Sequence, residues 1–72
     1  MSSEIALHVH TIASHTQMYL ASTVDTAWQT VPNIIRFYWH YVNPWIVTQL
    51  EQDGQGTTDD NCIIDIYWEQ DP

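Results

Sequence analysis

Apolar and polar positions alternate at the start of the chain. In residues 4–12 (EIALHVHTI), Ile5, Leu7 and Val9 interleave with Ala6, His8 and His10. A period of two predicts a half-buried strand. A helix capped by Ser2 or Ser3 is the competing reading.

Residues 15–31 change period. Met18, Ala21, Val24 or Asp25, Trp28 and Val31 recur every three to four positions, and Leu20 and Ala27 widen the stripe. That spacing predicts an amphipathic helix with Ser14 or Thr16 as N-cap. Pro32 ends it, because the residue before proline avoids helical angles.

Residues 33–42 (NIIRFYWHYV) are nearly all aromatic or β-branched. Ile35, Phe37, Trp39 and Tyr41 alternate with Arg36, Tyr38 and His40, which predicts a strand with Ile35, Phe37 and Trp39 facing inward. Residues 44–53 admit two readings. Trp45, Ile46, Val47 and Thr48 favour a strand, the preferred reading. Asn43, Pro44 and Gly54 would instead frame a short helix. Residues 53–61 (DGQGTTDDN) read as a polar hairpin loop, and residues 62–68 (CIIDIYW) as a last alternating strand with Ile64, Ile66 and Trp68 on one face.

These elements give an α+β fold in a single domain, residues 1–72, with one helix packed on a mainly antiparallel sheet of three to four strands. The expected order is β-α-β-β-β, with β-α-β-α-β as the alternative. A chain of 72 residues has a thin core. Four Trp, four Tyr and one Phe can fill it without a disulfide.

Charge changes the picture most. Nine Asp and Glu face one Arg and no Lys, a net charge of −8. Glu51, Asp53, Asp59, Asp60, Asp65, Glu69 and Asp71 all lie in the last third, where no basic residue occurs. Binding a phosphate backbone requires Lys and Arg to release counterions, so direct nucleic-acid binding is not expected. An anionic membrane surface repels such a chain. Arg36 can pair with one or two carboxylates; the rest need solvent or an external cation.

Cys62 is the only cysteine, so no intrachain disulfide forms. The opening Met-Ser-Ser-Glu lacks the basic and apolar regions of a signal peptide. The apolar stretch 34–47 is interrupted by Arg36, His40, Asn43 and Pro44 and is no membrane span. A cytoplasmic location is therefore expected.

Candidate chemistry is sparse. His8 and His10 share a strand face and could hold a metal with His15 or His40, but no ligand framework accompanies them. Residues 53–60 fail the oxygen spacing of a calcium loop. Cys62 sits near Asp59 and Asp60, whose negative charge suppresses thiolate formation. No phosphate-cradling glycine loop, G-x-S-x-G or H-E-x-x-H is present. No enzyme, cofactor or metal is expected.

The function that composition favours is recruitment to a basic partner. Electrostatic complementarity speeds such encounters and excludes wrong partners. The expectation is a small acidic protein-binding inhibitor or nucleic-acid mimic, of the style of phage- or mobile-element-encoded anti-defence proteins such as anti-CRISPRs, or of toxin-immunity proteins. Its partner would be a protein with a basic surface, for example a nucleic-acid-processing enzyme. The expected contacts are Glu51, Asp53, Asp59, Asp60, Asp65 and Glu69, with Tyr38 and Tyr67 as aromatic anchors. The rival is a non-catalytic accessory subunit of a larger cytosolic complex, its charge serving solubility. A small metal-binding protein using His8 and His10 ranks third.

Overall fold

The alternating segment at the start forms strand β1 (Ile5–Thr11). The computed structural model describes residues 4–11, 16–56 and 64–70. Ile5, Leu7 and Val9 are buried on one face of the strand, while His8 is half-buried and His10 exposed on the other. The strand is hydrogen-bonded on both sides. It pairs antiparallel with β2 (Gln17–Ala21) and antiparallel with β3 (Ile64–Gln70), so the sheet order is β2-β1-β3. Strand β3 keeps the predicted alternation, with Ile66 buried.

The predicted helix over 15–31 divides. Its first part is β2, and only Val24–Thr30 is helical, as α1. Thr23 explains the start. Its backbone is extended (φ −136°, ψ 160°), and its hydroxyl accepts a hydrogen bond from the Thr26 N–H at 3.1 Å. Asp25 in the first turn complements the helix dipole. The helix stops before Pro32, as the sequence predicts, with the Val31 N–H bonded to the Trp28 carbonyl at 3.1 Å. Residues 17–21 had room for another helical turn, but their backbone is taken by pairing with β1. Thr23→Ala is expected to cost about 1 kcal/mol, the usual worth of an N-cap hydroxyl. Urea denaturation followed by circular dichroism measures it, and an unchanged midpoint would show that the cap carries no stability.

Residues 33–42 are not a strand. They form α2 (Asn33–Val42). Seven of the ten side chains are apolar or aromatic, so the apolar alternation also fits a helical stripe, and the polar Asn33, Arg36 and His40 are spaced three and four apart. Trp39 is buried, with Ile35, Tyr38 and Val42 half-buried beside it. That set is spaced three to four apart, the signature of one helix face. Phe37, expected inward, is exposed.

Residues 44–53 take the alternative reading, as α3 (Ile46–Asp53). The Asn43 side-chain oxygen accepts from the Trp45 N–H at 3.1 Å. Gly54 closes the helix in the left-handed region (φ 77°), its N–H bonded to the Leu50 carbonyl at 2.8 Å. Glycine adopts this conformation without the strain a Cβ brings. The boundary residues thus outweigh the β-propensity of Trp45-Ile46-Val47-Thr48.

The element order is therefore β-β-α-α-α-β, an α+β fold with three helices and a three-stranded antiparallel sheet, in place of the expected β-α-β-β-β. Of the expected hairpin loop over 53–61, residues 57–61 lie outside the described residues. Residues 54–56 lie along β3: the Gly56 N–H donates to the Ile66 carbonyl and the Trp68 N–H to the Gly54 carbonyl, each at 2.9 Å.

One core joins the layers. It holds Ile5, Leu7 and Val9 from β1, Val24, Ala27 and Trp28 from α1, Trp39 from α2, Ile46 and Leu50 from α3, and Ile66 from β3. The Trp68 indole N–H donates to the Leu50 carbonyl, fastening α3 to β3. The helices thus cover the odd-numbered face of β1. No helix of the described residues is long and apolar enough to cross a membrane.

Candidate functional site

The other face of the sheet carries the predicted site residues that come together. Strand geometry sends alternate side chains to opposite faces. Ala6, His8 and His10 on β1 therefore face away from the helices, as do Met18 and Leu20 on β2 and Asp65, Tyr67 and Glu69 on β3. The register aligns them in rows. Leu20, Ala6 and Glu69 form one row, Met18, His8 and Tyr67 the next, and His10 pairs with Asp65 in the third.

The middle row is the most ordered. The His8 and Tyr67 rings stack, with centroids 4.7 Å apart and planes 11° from parallel. The His8 Nε2 lies 3.9 Å from a Glu69 carboxylate oxygen. Glu69 is largely exposed, so this contact contributes little. His10 shares a 2.9 Å hydrogen bond with the Thr16 hydroxyl. Met18 and Leu20 are each more than half exposed. The face is graded: carboxylates along β3, imidazoles along β1, apolar side chains along β2.

His8 and His10 do share a face, as an H-x-H strand requires. Among the described residues, no group of three or more His, Cys, Asp and Glu side chains is placed to hold a metal ion. His40 is on α2, in the helical layer, and His15 lies outside the described residues.

The other predicted contacts are placed elsewhere. Glu51 and Asp53 are exposed on α3, where Asp53 accepts a hydrogen bond from the Gln49 side chain. Asp59, Asp60 and Cys62 lie outside the described residues. Tyr38, expected outward by strand alternation, is half-buried and packs against the core, its ring edge-on to Trp39 at 5.9 Å. The structure thus joins Asp65, Tyr67 and Glu69 on one surface and sets Tyr38, Glu51 and Asp53 apart from it. The chain matches no family model, no curated protein and no solved structure.

A second surface escaped the strand reading. Ile34, Phe37 and Tyr41 on α2, with Trp45 just beyond it, are 74–88% exposed. Their spacing of three and four places the first three on one helix face. Reading 33–42 as a helix would have exposed this stripe and, beside it, the polar row Asn33, Arg36 and His40.

Proposed function

We propose that this is a non-catalytic protein-binding domain whose open sheet face docks on a basic surface of a partner protein and inhibits it. The observation that carries the reading is the placement of Asp65, Tyr67 and Glu69 at successive outward positions of β3, on a sheet face that none of the described helices covers. Along a strand such positions stand about 6.7 Å apart. Two carboxylates flanking an aromatic ring can engage Lys and Arg side chains while the ring supplies buried area. Neighbouring Met18 and Leu20 extend the contact apolarly.

A net charge of −8 steers the encounter over distances longer than any single contact. Many basic protein surfaces bind nucleic acid, and carboxylates at regular spacing substitute for phosphates there. The reading extends to an intracellular inhibitor of a nucleic-acid-processing enzyme, of the kind mobile elements encode against host defence. The chain itself, with Arg36 as its only Lys or Arg, does not bind DNA or RNA.

The exposed α2 stripe favours a second reading, an accessory subunit held in a larger complex by Ile34, Phe37, Tyr41 and Trp45. Contiguous exposed apolar side chains are a usual mark of protein interfaces. One experiment separates the two. The immobilised protein captures its partner from a host lysate, and the same capture is repeated with Asp65→Lys/Glu69→Lys and with Phe37→Ala/Tyr41→Ala. Like charges placed against a basic surface cost several kcal/mol, an affinity loss of roughly 100-fold. The charge-reversed protein is expected to lose the partner and keep its melting temperature, since neither carboxylate is buried. Retention by that variant, with loss by the aromatic one, would replace the acidic-face reading with the subunit reading.

A further inference from the structure

A cleft of about 260 Å³ opens between α1 and α2, lined by Trp28, Asn33, Arg36, Phe37 and His40. We propose that it binds a small aromatic carboxylate. The site is distinct from the open sheet face and does not depend on the docking reading above.

Arg36 is the reason. It is the only Lys or Arg in a chain with nine carboxylates. Yet among the described residues no carboxylate lies within ion-pair distance of it. Its neighbours hold it in place instead. The Nε–H donates to the Val31 carbonyl at 2.9 Å, and Nη2 donates to the Asn33 side-chain oxygen. These bonds use two of the five guanidinium N–H donors. Three donors remain for a carboxylate, both Nη1–H groups and one Nη2–H. A donor already fixed by the protein loses less entropy on binding.

The rest of the lining narrows the ligand. Phe37 is 75% exposed and presents ring surface to the cleft. Trp28, only 7% exposed, closes the cleft from α1, and the His40 imidazole adds a polar group. The cleft is smaller than the roughly 300–1,000 Å³ of sites for drug-sized molecules, which limits the ligand to about one ring. Phosphate fits less well. A single Arg cannot neutralise a dianion, the field of the chain opposes a second negative charge, and phosphate gains nothing from the Phe37 ring. A planar monoanion with a ring uses every group present.

The test is a titration of the full chain with sodium benzoate, followed by ¹H–¹⁵N spectra. The expected result is saturable shifts of the Trp28 indole N–H and the Arg36 Nε–H, with a dissociation constant of about 1 mM or tighter. Benzamide, the neutral isostere, and inorganic phosphate are expected to bind at least roughly tenfold more weakly, since a charge-assisted fork is lost in one and the ring contact in the other. Arg36→Lys keeps the charge and removes the fork, and the same weakening is expected. Phe37→Ala, at an exposed position that leaves the core intact, is expected to weaken benzoate severalfold. Absence of saturable shifts overturns the proposal. Equal binding of benzamide or of phosphate overturns it too, as does parental affinity in Phe37→Ala together with Arg36→Lys.

Discussion

Trp39→Ala is expected to lose about 3–5 kcal/mol, leaving the domain largely unfolded at 25 °C. Trp39 is only 2% exposed and is the single α2 residue in the buried core. It faces Gly56 and so ties α2 to the segment running along β3. Truncation removes an aromatic side chain and leaves a cavity that a thin core cannot close. Trp39→Phe is the informative companion. The Trp39 indole N–H is buried and has no hydrogen-bond partner among the described residues. An unsatisfied buried donor costs roughly 1–3 kcal/mol. Phenylalanine removes that donor along with part of the packing, so its net cost is expected to be less than half that of alanine. Urea denaturation of the three proteins measures both effects. A Trp39→Ala midpoint equal to the parent's would show that α2 does not pack inward through Trp39.

Gly56→Ala is expected to destabilise by about 1–3 kcal/mol, the range for overpacking a filled core. A Cβ there would lie 2.7 Å from Ile66 Cγ2, 3.0 Å from Ile46 Cδ1 and 3.1 Å from Trp39 Cη2. Ile46, Ile66 and Trp39 are each 2% exposed, so none can swing into solvent to make room. The Gly56 backbone cannot retreat without breaking its 2.9 Å bond to the Ile66 carbonyl. The glycine is required by close approach, unlike Gly54, whose surroundings are open and whose backbone angle is the constraint. Thermal melts of parent and variant decide the matter. A stability equal to the parent's would mean that the segment does not seat against the core. Combined with Trp39→Ala, the two costs should not add, because the alanine methyl would enter space the indole vacates.

The parts of this fold legible in the sequence were those where polar residues mark a phase. In β1 and β3, His8, His10 and Asp65 punctuate the apolar positions, and both strands formed with the predicted faces. In residues 33–42 the polar residues Asn33, Arg36 and His40 stand three and four apart, the phase of a helix, but the aromatic and β-branched side chains between them favoured the strand reading. There a helix buries Trp39 beside Ile35, Tyr38 and Val42 while leaving Phe37 and Tyr41 in solvent, an outcome that propensity disfavours and tertiary packing imposes. Boundary signals did better than propensity. Pro32 ended α1, and Asn43, Pro44 and Gly54 framed α3 against the β preference of the residues between them. The strand β2 was hidden for a different reason. Met18 and Leu20 point outward while Tyr19 and Ala21 point toward the core, and that short alternation was absorbed into a longer helical stripe. The candidate site was legible in proportion. Asp65 and Tyr67 follow from strand alternation, while Glu69 lay beyond the strand expected over 62–68 and is brought into line because β3 runs to Gln70. The α2 stripe and the Arg36 cleft depend on a helix that the sequence pattern concealed.

The sheet order also sets a sequence of events during synthesis. The central strand has one neighbour close behind it and the other nearly the whole chain away: Ile5 pairs with Gln70, and Thr11 with Ile64. A nascent chain can make the hairpin and its helices early. It cannot close the core, because Ile66, Trp68 and the outer rung of hydrogen bonds arrive last. Joining segments so far apart carries a large loop-closure cost that local contacts do not repay, which slows folding. Until the last strand docks, one edge of β1 and the apolar sides of the helices stand open to other chains. Once it docks, Ile5 and Gln70 lie side by side, so the first strand begins where the last one ends, at one end of the sheet.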